Sequence, residues 1–254
     1  MRTVRYDGSY QGWLTAVFDI YQNRFADVCF LGDSPGSVSM FGTPYDVVTD
    51  ETKANRVIKG LEQKLTPEGV EALYKTFLSE VEKADDIMLR FVRYAFSSNE
   101  NIERDLVNPV VGEVMRSAKI VRREAHRMTA FVRFKKTSDD LYYAVIEPDC
   151  NVLPLIVKHF KDRFTDQRWV IYDARRKYGI YYDLHTVTTV SLEFTAAPSS
   201  TAITAIFDER EELFQNLWRR YFASVNIEAR KNIKLHLQHM PKRYWRHLTE
   251  KTGA

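Results

Sequence analysis

The chain has 254 residues, 44% hydrophobic and 13% aromatic, enough for one large domain or two small ones around a substantial core. Its net charge of +3 permits a nucleic-acid partner without demanding one, so where the charge sits matters more than its sum. Cys29 and Cys150 lie far apart with no CxxC, which argues against a disulfide framework and a thiolate metal site. The opening MRTVRYDGSYQGW lacks the apolar stretch of a signal peptide, and no run approaches the ~18 apolar residues of a membrane span, so the sequence predicts a soluble, cytoplasmic protein.

Val4 to Tyr6 reads as a short strand, and Asp7-Gly8-Ser9 supplies turn and helix-start chemistry. Trp13, Leu14, Val17, Phe18 and Tyr21 recur at helical spacing, so an amphipathic helix is expected from about Gln11 to Asn23. Asp7 stands at the turn either as an acid, base or polar anchor of a site, or as an Asx-turn capping the helix. Val28 to Leu31 is a second strand, followed by a Gly/Ser/Pro loop from Gly32 to Thr43 that lacks the spacing of a nucleotide-binding loop.

Residues 50–127 carry a helical pattern in four stripes: Ala54 to Leu65, Val70 to Val81, Ile87 to Ala95 and Val110 to Val121. Thr66-Pro67 and Asn108-Pro109 mark helix starts. At Met128 the period changes to two, which predicts a β-hairpin from strands 128–134 and 141–147. A helix bearing Leu155, Ile156, His159, Phe160 and Phe164 comes next, then strands at 168–173, 179–183 and 187–194. Asp208 opens a further helix with Leu213, Phe214, Leu217, Trp218, Tyr221 and Phe222. The expected fold is a single α+β domain over 1–254: an antiparallel sheet covered by helices in 128–225, an inserted helical subdomain at 50–127, and a basic helical segment at 226–254.

Two basic clusters stand out. Between Arg116 and Lys136 there are eight Lys or Arg against one acid, Glu124. Between Ala229 and Thr249 there are six Lys or Arg, three histidines and no acid, with Tyr244 and Trp245 interleaved. Cations pair with phosphates and flat rings stack on bases, so a nucleic-acid surface is one reading. The other is a solvated helix followed by a short terminal helix that docks through Trp245 and Leu248. His236 and His239 share a helix face, but no neighbouring carboxylate completes a ligand set, so no metal is expected. No cofactor motif is present either: there is no HExxH, no GxSxG and no CxxxCxxC.

Four motifs in order carry a resemblance over essentially the whole chain: Tyr6-Asp7-Gly8-Ser9-Tyr10-Gln11-Gly12-Trp13, Phe131-Val132-Arg133-Phe134, Arg168-Trp169, and MPKRYW preceded by Asn226, Ala229 and Arg230. Together they resemble an uncharacterised bacterial domain-of-unknown-function family described as DNA metabolism or DNA repair proteins. The resemblance implies a link to DNA, a radical S-adenosylmethionine protein as partner, and fusion in some members to a uracil-DNA glycosylase-like domain. It implies no established reaction. The YDG…GW opening also looks like the start of certain tRNA pseudouridine synthases, but their catalytic Arg-Thr-Asp-Ala-Gly type motif is missing here.

The leading expectation is therefore a protein that binds damaged or single-stranded DNA through Arg127, Arg133, Arg168, Arg230, Lys242, Arg243, Tyr244 and Trp245. The alternatives are a nuclease- or glycosylase-type enzyme and a non-catalytic adaptor whose basic face meets an acidic protein. For the enzyme, Asp7, His126 and Asp173, with Glu147 and Asp149, are the candidate acid–base groups.

Overall fold

The computed structural model describes residues 2–31, 43–138, 140–191 and 237–251. The chain divides into two compact units, Met1–Arg122 and Arg123–Ala254.

In the first unit, β1 (Arg2–Arg5) lies between β2 (Val28–Phe30) and β3 (Tyr45–Asp46), parallel to both. Parallel neighbours need a crossover, and α1 (Tyr10–Gln22) supplies the one from β1 to β2. The turn between β1 and α1 needs Gly8, whose φ of 74° lies in the left-handed region. Ser9 then caps α1, its hydroxyl accepting the Gly12 amide at 2.9 Å. Asp50 caps α2 (Glu51–Glu62), and Thr66 caps α3 (Pro67–Leu78) with Pro in the first turn. The helices α4 (Ala84–Ser97) and α5 (Pro109–Phe131) follow. The stripes read from the sequence meet in one core: Val4, Trp13, Leu14, Val17, Leu61, Leu73, Phe91, Val92, Val111 and Val114 are fully inaccessible. The helices of 50–127 thus share a core with β1 and α1. Each such side chain contributes on the order of 2 kcal/mol by burial.

The second unit begins within α5. The strand expected at 128–134 is helix as far as Phe131 instead. Val111, Val114, Ala118, Val121 and Met128 are all buried, at intervals of three, four, three and seven, so the helical stripe continues through the alternating run. The hairpin survives in short form, with β4 (Lys135–Lys136) antiparallel to β5 (Tyr142–Ile146).

The sheet runs β4-β5-β6-β7-β8, with β6 (Trp169–Asp173), β7 (Tyr178–Tyr182) and β8 (Val187–Val190). It is mixed, which corrects the expectation of an antiparallel sheet. β5 and β6 are parallel, from Tyr142 opposite Trp169 to Ile146 opposite Asp173. The physical reason is the connection: α6 (Leu153–Arg163) returns the chain to the starting end of the sheet, so the next strand enters in the same direction. β6 is buried at every residue, in keeping with a central strand. The α+β class holds. A 3-10 helix, Lys242–His247, takes in the last four residues of MPKRYW and docks through buried Tyr244, with buried Leu248 directly after it. The loop at 32–42, the strand residues past 191, the helix opening at Asp208, and residues 226–236 lie outside the described residues.

Candidate nucleic-acid interface

Where α5 ends, Phe134 meets the rings of Phe160, on α6, and Phe164, the residue that closes it. Phe160 and Phe164 are four residues apart, about one turn, and their rings are near-parallel with 6.2 Å between centroids. Phe134 stands edge-on to them at 5.7 and 5.4 Å. Behind lies fully buried Trp169, 6.3 Å from both Phe134 and Phe160 and 5.4 Å from Tyr182. The result is a cleft of about 720 Å³ with an aromatic floor.

Its rim is basic. His159 and Arg163 stand one residue ahead of Phe160 and Phe164, so a cationic or imidazole group flanks each ring. Arg133, Lys136 and Tyr142 complete the mouth, and no carboxylate lines it among the described residues. The cations differ in availability. Arg133 pairs with Glu250 at 2.8 Å and donates to the Ala130 carbonyl at 2.6 Å. Lys136 pairs with Asp140 at 2.6 Å. The Arg163 guanidinium lies 5.8 Å from the Phe164 ring and has no carboxylate partner among the described residues. Half-buried Phe134 and Phe164 can offer ring surface to a base, and Arg163 can meet a phosphate.

The residues of MPKRYW do not line this cleft, and two of them bond a carboxylate. Buried Glu124, the lone acid of the first basic cluster, accepts the Tyr244 hydroxyl at 2.5 Å and Arg243 at 3.3 Å, and Arg127 lies 3.8 Å away. Burial, then Glu124, pushes the Tyr244 phenol above its ordinary value. Arg243 also pairs with Asp149 at 3.0 Å, and Arg246 with Glu147. Arg127, Arg243 and Tyr244 are therefore brought together, around a carboxylate. Trp245 is half-buried, its Nε1 donating to the Met240 carbonyl at 3.0 Å, with Lys251 at 5.0 Å and exposed Lys242 at 5.9 Å from its ring. Arg168 is exposed beside β6. Arg168, Lys242 and Trp245 do not line the aromatic cleft. Arg230 and His236 lie outside the described residues.

The candidate acid–base groups are scattered. Asp173 is fully buried, accepting the Arg175 and Arg176 amides at 2.9 and 3.2 Å and pairing with Arg176 at 2.8 Å. It anchors the β6–β7 turn. His126 is exposed on α5. Asp7 belongs to the first unit and accepts Ser9 N at 2.9 Å, Ser9 Oγ at 2.6 Å and Thr49 Oγ1 at 2.7 Å. Partial burial raises its carboxyl, but the bonds from Ser9 and Thr49 outweigh that and hold it below the ordinary value. Among the described residues, no group of three or more His, Cys, Asp or Glu side chains is arranged to hold a metal ion. No described helix is long and apolar enough to cross a membrane.

Sequence reading missed Arg163 and Glu124 as site residues. The pattern His159-Phe160…Arg163-Phe164 held the signal, since two basic–aromatic pairs four residues apart must lie one above the other on a helix. Glu124 was visible as a single acid inside a basic run. Its burial depends on contacts with residues more than a hundred positions away.

No curated protein and no solved structure matches the chain. The sequence profile of a domain of unknown function, DUF4130, matches residues 82–250, which is 169 of the 254 residues. The chain belongs to the DUF4130 family.

Proposed function

We propose that this protein acts in DNA metabolism or repair and binds single-stranded or damaged DNA through its second unit. The aromatic cleft is the observation that carries the reading. An unstacked base lies against Phe134 and Phe164, and the adjoining phosphates meet Arg163 and His159. Stacking on such rings contributes about 1–3 kcal/mol per base without reading sequence. A duplex keeps its bases stacked inside, so the cleft favours single strands, bulges or lesions. The resemblance noted in the sequence supports DNA as the polymer and a radical S-adenosylmethionine protein as the partner that supplies chemistry.

Fluorescence anisotropy of labelled single- and double-stranded DNA across a salt series tests this. Salt-sensitive binding, tighter for the single strand and weakened about tenfold by Arg163→Glu, is the expected result. Equal affinity of wild type and Arg163→Glu for every DNA contradicts the reading.

A further inference from the structure

A second cleft adjoins the first, since Ala130 lines both. It has a volume of about 570 Å³. From α5 come Arg123, His126 and Arg127, the last two standing three and four residues after Arg123 and so next to it on the helix face. Gln238 and His239, from the segment just before MPKRYW, complete it, and no carboxylate lines it among the described residues. Arg127 is held in place from two directions: Nη1 lies 3.8 Å from Glu124, and Nη2 donates to the Gln238 carbonyl at 3.2 Å. Arg123 is exposed and has no carboxylate partner among the described residues.

This arrangement carries more positive and donor capacity than one internal phosphodiester uses. A phosphodiester bears one negative charge and is neutralised by a single cation. A terminal phosphate monoester has a second pKa near 6, so it approaches two negative charges at neutral pH and offers three strong acceptor oxygens. The exposed Arg123 guanidinium, the Arg127 guanidinium that Glu124 offsets in part, and two imidazoles in one cleft suit the monoester, and charge-assisted bonds of this kind are about twice as strong as neutral ones. The neighbouring aromatic cleft then receives the base next to that end.

We infer that the cleft formed by Arg123, His126, Arg127 and His239 binds the terminal phosphate of a DNA strand, so that the protein recognises phosphorylated strand ends. The inference rests on the DNA-binding reading above. The test compares three otherwise identical, internally labelled single strands by anisotropy: 5′-phosphorylated, 3′-phosphorylated and unphosphorylated. One phosphorylated form is expected to bind about tenfold more tightly than the unphosphorylated strand, as a charge-assisted contact to an extra anionic group predicts. Arg123→Ala, a change at an exposed position, should abolish that preference and leave binding of the unphosphorylated strand within about twofold. His239→Ala should reduce the preference independently. Equal affinity for all three strands overturns the terminal-phosphate site while the DNA-binding reading stands. A preference that persists in both variants also overturns the site. Failure of all three strands to bind removes the DNA reading itself, and this inference with it.

Discussion

The Tyr244 hydroxyl donates to Glu124 Oε2 at 2.5 Å, joining α5 to the 3-10 helix across 120 residues of sequence. Both side chains are buried, and Arg243 bonds the same oxygens, at 3.3 Å to Glu124 and 2.6 Å to Tyr244. Glu124 Oε1 also accepts the Asp149 amide at 3.0 Å, so one carboxylate ties a helix, a turn and the C-terminal segment.

Removing one member of this knot takes a partner from buried Glu124 or from the groups that bond it. Tyr244→Phe should cost about 1–2 kcal/mol, the usual loss for one hydrogen bond to a buried charged group that keeps its other partners. Glu124→Ala should cost more, roughly 3 kcal/mol, because it removes the acceptor of the buried Tyr244 hydroxyl and of the Asp149 amide, takes a counter-charge from Arg127 and leaves a cavity. Urea unfolding followed by circular dichroism measures both. Glu124→Ala milder than Tyr244→Phe contradicts the assignment of Glu124 as the hub.

Gly12 is fixed by close approach. A Cβ there would stand 2.1 Å from Asp7 Oδ1, so Gly12→Ala must displace the carboxylate that accepts from Ser9 and Thr49. A loss of about 1–3 kcal/mol is expected. In an Asp7→Ala background the obstructing oxygen is gone, and the same change should cost markedly less. The double-mutant cycle reads this coupling directly. Additive effects mean that the clash is not the cause.

Asp183 accepts the His185 and Thr186 amides and the Thr186 hydroxyl in the turn between β7 and β8, at 2.8, 2.6 and 2.9 Å. The Thr186 amide, then the His185 amide, hold its pKa at about 2, below the ordinary 3.8. A depressed carboxyl stabilises the fold above its unfolded value, and that stability is lost as pH falls from near 3.8 through about 2. Asp183→Ala should therefore lower the urea midpoint at neutral pH, and the gap from wild type should close near pH 2.

His247 works in the opposite range. Burial first, then Arg246 and Lys135, lowers its imidazole below the ordinary 6.5. Glu147 Oε1 lies 3.4 Å from Nε2, but without hydrogen-bond alignment, so it does not restore the charged form. The unfolded chain binds this proton more readily, so stability falls as pH drops below about 6.5 towards the folded value. His247→Gln should flatten that part of the stability–pH curve relative to wild type. An unchanged slope between neutral pH and pH 5.5 contradicts the lowered imidazole.

Much of the fold was legible because helices announce themselves locally. The stripe Val111, Val114, Ala118, Val121 gave α5, and Thr66-Pro67 gave the start of α3, since cap and period are short-range signals. The direction of β6 was not legible. Whether Trp169–Asp173 pairs parallel or antiparallel to Tyr142–Ile146 depends on where α6 delivers the chain, and no local residue pattern states that. The site divided the same way. Basic–aromatic interleaving marked the region around Arg133 and Tyr244. Which arginines are consumed by carboxylates was decided by tertiary contacts: Arg133 by Glu250, Arg243 by Glu124 and Asp149, Arg246 by Glu147. Arg163, from an inconspicuous helix, keeps its charge unopposed among the described residues.

The claim that the aromatic cleft holds an unstacked base is tested most directly by placing the fluorescent base 2-aminopurine at successive positions of a single strand and measuring its emission on binding. The account predicts quenching at one position in the wild-type complex, as the base stacks on Phe134 and Phe164, and its loss in Phe164→Leu under conditions where the strand stays bound and the protein stays folded. Emission that is unchanged at every position of a bound strand, or quenching that survives Phe164→Leu and Phe134→Leu alike, would contradict it.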